Sequence, residues 1–194
     1  MKKLLLALLF AASTGAHAAQ PATMRLDYLH TGNALGEQYA IERVVLEPLP
    51  WAGDMGRTID DTNRGINKVE VVDIKTGKVL YTRGFSTIFG EWRTTDEASK
   101  LTRGFSESVR FPQPEQPVRV RILKRDERNE FSVVWSVDVD PNAMDVVRKQ
   151  PLLQVKPIPI HVSGPSPQKV DLLIMGDGYT KAELPKFEQK ARKL

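Results

Sequence analysis

Two histidines decide which chemistry this chain could perform. Beyond the N-terminal leader, the sequence carries only His30 and His161, and neither is followed by a glutamate. A zinc hydrolase of the HExxH type needs two histidines one helical turn apart with a glutamate between them, and no such pattern occurs. A serine nucleophile on a Gly-x-Ser-x-Gly elbow is missing as well; His161 beside Ser163 and Ser166 is only sequence proximity. Gly176-Asp177-Gly178 lacks the spacing and the Lys-Ser/Thr ending of a phosphate loop. With no cysteine, disulfides, thiolate metal sites and thiol nucleophiles are excluded. Asp138, Asp140 and Asn142 put oxygens at positions one, three and five of a calcium-type loop. Ala143 then stands where that loop needs glycine and Lys149 where it needs a bidentate glutamate, so a solvated Asp140-Pro141-Asn142 turn is expected.

Surface chemistry offers weaker candidates. Trp51 lies in a polar loop and Trp92 follows Phe89-Gly90-Glu91, where aromatics either stack on a sugar or protein partner or pack inward. Thr-Arg-Gly-Phe-Ser occurs at 82–86 and again at 102–106. Two copies are too few for a solenoid. They read either as two strands ending alike or as an Arg83 and Arg103 binding patch.

The elements that would position these residues are mostly strands. Lys2 and Lys3, the apolar run Leu4 to Ala12 and Ala16-His17-Ala18 form a secretory signal, expected to be removed so that the mature chain begins at Ala19. Nine apolar residues fall short of the roughly twenty that span a bilayer, so no membrane span is expected. Removing two lysines and no acids lowers the net charge from +4 to +2, which offers nothing to nucleic acid. The mature protein is expected to be secreted or periplasmic.

Strands are read at Arg25 to Thr31, Ala40 to Leu46, Lys68 to Ile74, Val79 to Phe85, Pro117 to Leu123, Glu130 to Val139 and Gln154 to Val162. Within them Val118, Val120 and Ile122 share one face, as do Phe131, Val133 and Trp135. Trp51 to Gly65 is a long polar loop, and Lys75-Thr76-Gly77-Lys78 a hairpin turn. About eight short strands without a long helical pattern predict an antiparallel β-sandwich over 19–164. Past the linker Ser163–Pro167, Val170 to Met175 is a continuous apolar strand. Thr180 and Glu183 then form a capping box, and Leu184, Phe187, Ala191 and Leu194 share a helical face. Pro185 makes the first turn irregular. A strand, a turn and a helix open an α/β domain, so 165–194 are expected to be its linker and truncated start.

Three stretches carry a resemblance: Leu80 to Trp92, Phe105 to Pro112, and Asp171 to Thr180 with Glu183 and Phe187. Together they resemble the N-terminal part of the immunoglobulin-A-cleaving zinc metallopeptidase family of secreted bacterial proteins. The resemblance implies a β-sandwich joined to a metallopeptidase domain that opens at the Asp177-Gly178-Tyr179 turn and carries its zinc-binding HExxH further on. No catalytic or metal residue carries over to this chain, and zinc is expected only in that later domain. The implied role of Asp177, Gly178 and Tyr179 is to shape the turn. The expected function is a non-catalytic accessory domain whose partners are its own catalytic domain or a protein substrate. The alternative is a stand-alone secreted module binding a protein or glycan.

Overall fold

The computed structural model describes residues 20–150 and 157–193; residues 1–19 (the expected signal segment and Ala19), 151–156 and 194 lie outside them. Eight strands form two four-stranded sheets among the described residues. They are β1 (Ala22–Gly32), β2 (Glu37–Pro50), β3 (Asn67–Asp73), β4 (Val79–Phe85), β5 (Arg103–Pro112), β6 (Val118–Arg125), β7 (Phe131–Val139) and β8 (Val147–Arg148). The first sheet runs β5-β1-β2-β8 and the second β4-β3-β6-β7. All pairings are antiparallel except that of the two-residue β8 with β2. The chain is mainly β, as its alternating pattern predicts.

Period-two burial builds one core between the sheets. Met24, Leu26 and Tyr28 of β1 meet Val69 and Val71 of β3, Val109 and Phe111 of β5, and Val118, Val120 and Ile122 of β6. Each fully buried aliphatic side chain of this kind stabilises the fold by about 1.5–3 kcal/mol. The hairpins close on side-chain oxygens. Asn33 Oδ1 accepts from the amides of Leu35 and Gly36, and Asp73 Oδ1 from the amide and hydroxyl of Thr76. Gly77, at φ 72°, supplies the left-handed residue of the second turn.

A bulge in β7 changes one sequence expectation. Ile122 pairs with Trp135 but Leu123 with Val133, so Val134 is the extra residue. One inserted residue moves everything before it to the other face of the strand. Trp135 therefore points inward, packed against the core. Phe131 and Val133, expected beside it, face outward: Val133 is half exposed, and Phe131 lies under the Lys68 ammonium and the Arg125 guanidinium at 4.8 and 4.4 Å.

The sequence pattern also missed a helical excursion. Between β4 and β5 the chain forms α1 (Ile88–Trp92), capped by the Thr87 hydroxyl on the Gly90 amide, and a 3-10 turn at Glu97–Ser99. Five residues are too few to show a helical period.

The expected strand at 154–162 is absent over its described part, 157–162, where Pro157 and Pro159 lack amide donors. Residues 154–156 lie outside the described residues. Val170 to Met175 likewise form no ladder with any strand among the described residues. The helix that follows is present: a 3-10 turn at Lys181–Glu183 leads into α2 (Leu184–Ala191), with Pro185 in its first turn.

The polar loop 51–65 is fastened along β4. The Thr82 amide donates to the Thr58 carbonyl and its hydroxyl accepts from the Asp60 amide. Asp60 accepts in turn from the Gly84 amide and from the amide and hydroxyl of Thr62. The Thr62 and Gly84 bonds hold the Asp60 carboxyl down at about 2. A Cβ on Gly84 would stand 2.0 Å from the Arg64 carbonyl oxygen, so glycine is required there by close backbone approach. Gly84→Ala is expected to displace residues 60–64 at a cost of roughly 1–3 kcal/mol. Amide exchange at Thr62 and Gly84 should accelerate while the Val120 amide stays protected.

Candidate functional site

At one end of the sandwich, positions in phase with the core turn polar. On β1 the inward series Met24, Leu26, Tyr28 continues to His30, which is 2% exposed. On β5 the inward series Phe111, Val109 continues to Glu107, which pairs with Tyr28. On β6 the series Val118, Val120, Ile122 continues to Lys124. β2 joins through a second bulge. Asp27 pairs with Arg43 but Tyr28 with Ile41, leaving Glu42 extra, and the parity change brings Tyr39 opposite His30. Glu37 follows on the same face.

Side chains from both sheets and the helical excursion meet here. His30 Nδ1 lies 3.1 Å from Glu107 Oε2, and its Nε2 3.5 Å from Glu37 Oε2. The second contact is too poorly placed to count as a hydrogen bond, so Nε2 has no formal partner. The Glu37 carboxylate accepts from Lys124 Nζ at 2.6 and 2.7 Å and from the Arg93 guanidinium at 2.8 Å. Arg93 stands just past α1 and also donates to the Ala34 carbonyl. The His30 ring lies between two aromatic faces, Tyr39 at 4.2 Å and Phe89 of α1 at 3.9 Å. Tyr39 stacks on Trp135 from the opposite sheet, and Tyr28 packs against the same indole at a tilt.

Burial and charge pull these groups in opposite directions. Burial raises the Glu37 carboxyl, yet His30, Lys124 and Arg93 together hold it down at about 2. Burial lowers the His30 imidazole, but the Glu107 and Glu37 carboxylates outweigh it and raise the group. Burial and the Glu107 charge push the Tyr28 phenol up; burial and both carboxylates do the same to Tyr39. The Tyr39 hydroxyl and Glu107 Oε1 are buried without a partner within the protein.

A divalent metal does not fit this cluster. It offers one histidine and two carboxylates, but an ammonium and a guanidinium already occupy Glu37 and would have to leave. Among the described residues no group of three or more His, Asp or Glu is placed to hold a metal ion. What the arrangement can do is fasten elements together.

The residues singled out from sequence lie elsewhere. Trp51 packs edge-on against Tyr81 at 5.5 Å beside the main core. Trp92 joins Phe89 and Ala98 in a small satellite core, and its indole donates to Glu97 at 2.6 Å. Arg83 and Arg103 stand on different sheets. Arg83 borders a polar groove of about 380 Å³ between loop 51–65 and Pro167–Val170, while Arg103 pairs with Glu97. Asp140 closes its turn by accepting from the Asn142 amide. Asp177, Gly178 and Tyr179 form a turn in the tail. Gly178 has φ 74°, and the Tyr179 ring rests 5.2 Å from Phe187. Glu183 accepts from the Thr180 amide and hydroxyl just beyond.

Ahead of that turn, Val170, Leu172, Leu173 and Met175 are all more than three-quarters exposed. Among the described residues no helix is long and apolar enough to cross a membrane.

Comparison with known proteins adds two matches. Residues 16–136 match the family model described as Peptidase M64 N-terminus, and residues 158–194 match the one described as IgA Peptidase M64. No curated protein matches the chain.

Glu37→Gln should weaken the fold by about 1–3 kcal/mol, because it strips a partly buried ammonium and guanidinium of their counter-charge. The Glu37 carboxyl ionises lower in the fold than its ordinary 4.5, so its contribution is present above 4.5 and is lost as pH falls through about 2. Urea titrations across that window should show a shallower acid slope in the variant than in the parent.

Proposed function

The chain belongs to the M64 peptidase family, and from that premise we propose that its β-sandwich is a non-catalytic accessory domain of a secreted zinc metallopeptidase. The observation that carries this reading is the contrast within the chain. The sandwich matched to the N-terminal model has a closed core, whereas the segment matched to the peptidase model presents an exposed apolar run with no strand beside it among the described residues. A run of that kind is built to be covered on both faces, as the first strand of an α/β peptidase domain would be. Its exposed leucines are then a junction with catalytic-domain sequence. Zinc would be held there, outside the residues of the sandwich.

The leader Lys2 to Ala18 supports export to the periplasm or beyond. The other reading, a stand-alone module for a protein or glycan, would use Trp51, Trp92, Arg83 and Arg103. It has less support, because both indoles are engaged in packing and the two arginines lie on separate sheets.

Purified as these 194 residues, the protein should cleave no casein with or without added zinc. Cleavage that a chelator abolishes and zinc restores would overturn the accessory reading. Substituting aspartate at Leu172 and Leu173 should leave the melting temperature of the sandwich within about 4 °C, since surface changes away from the core rarely exceed ±0.5 kcal/mol each.

A further inference from the structure

We propose that His30 is held as an imidazolium at neutral pH and acts as a charge lock at the capped end of the sandwich, released when it loses its proton in alkaline medium. Three observations carry this. Both ring nitrogens lie near carboxylate oxygens: Nδ1 is within hydrogen-bond reach of Glu107 at 3.1 Å, and Nε2 is within ion-pair range of Glu37 at 3.5 Å without hydrogen-bond alignment. A neutral imidazole has one N–H and one lone pair, so either tautomer would aim a lone pair at a carboxylate; only the cation offers a proton to both. The ring also lies between the faces of Tyr39 and Phe89, and aromatic faces attract a cation. Finally, the site is closed: His30 is 2% exposed, so bulk solvent does not reach the ring.

The charged and titratable groups facing His30 are Glu107 on β5, Glu37 and Tyr39 on β2, and Tyr28 on β1. Lys124 of β6 and Arg93 beyond α1 lie one contact further, through Glu37. Both phenols are raised, so they stay neutral while His30 titrates. The two carboxylates raise His30 as well. A group raised in the fold contributes stability that is complete below its unfolded value, about 6.5, and is lost as pH climbs through the folded value. Deprotonation would leave one of the two carboxylates, Glu107 or Glu37, facing a lone pair. The joint between β1, β2 and β5, with Phe89 of α1 lying on it, would then loosen without any change in the aliphatic core.

Nitrogen-detected NMR of the imidazole rings in the whole chain tests this. At pH 7 the His30 ring should show both nitrogens protonated, and it should titrate with a midpoint on the alkaline side of pH 7 rather than at the 6.5 of a free imidazole. His30→Gln identifies the signal by its loss. If that variant does not fold, contacts of the ring protons with Phe89 and Tyr39 identify it in the parent. A singly protonated His30 at pH 7, or a midpoint at or below pH 7, would overturn the proposal. In parallel, Glu107→Gln should shift the alkaline loss of stability to lower pH. An unchanged alkaline profile would show that Glu107 only fills space and would equally overturn it.

Discussion

The carboxylate of Glu37 is where the architecture is tied. It stands on β2 of one sheet, takes an ammonium from β6 of the other, a guanidinium from the end of α1, and faces the His30 ring on β1. An aliphatic contact is indifferent to which neighbour supplies it; a buried carboxylate is not. It tolerates burial only with its partners in place, so the pair of sheets and the helical cap must arrive in one arrangement. The core provides most of the driving force for folding. The Glu37 knot determines how the capped end closes over that core.

That knot depends on a bulge. Val44 and Leu46 lean on the main core, and without the extra residue at Glu42 the strand would carry Tyr39 and Glu37 to the opposite face. The second bulge, at Val134, does the complementary work in the other sheet. It keeps Trp135 inward to meet Tyr28 and Tyr39, while Phe131 is turned out beneath two cations. Each bulge is a change of parity, placed where a core side chain gives way to one of different character.

How much of this the sequence discloses follows the same logic. Clean alternation in Pro117 to Leu123 discloses β6, and Lys75-Thr76-Gly77-Lys78 discloses the β3–β4 turn. The Glu42 and Val134 bulges are silent, because an inserted residue leaves composition and propensity unchanged and alters only register. The α1 excursion is too short to have a period. The buried cluster was partly visible. Met24, Leu26, Tyr28, His30 and Phe105, Glu107, Val109, Phe111 both keep strict period two, so a core-phase histidine and glutamate stood in plain sequence. What could not be read was that they face each other, since that requires the β1–β5 register.

The strap of residues 58–64 along β4 also gives the second sheet two unlike borders. On the β4 side, Thr58, Asp60 and Thr82 use backbone amides and carbonyls that would otherwise remain open to another strand. On the β7 side, where no strand lies alongside among the described residues, a run rich in valine forms the border, interrupted by the Val134 bulge. Unpaired strand edges are templates for growth, and a bulge spoils the template by twisting it. The molecule therefore guards one border by covering it and the other by distortion. A repair of the β7 register that made the strand more regular would, for that reason, make the protein more prone to assemble into extended sheets.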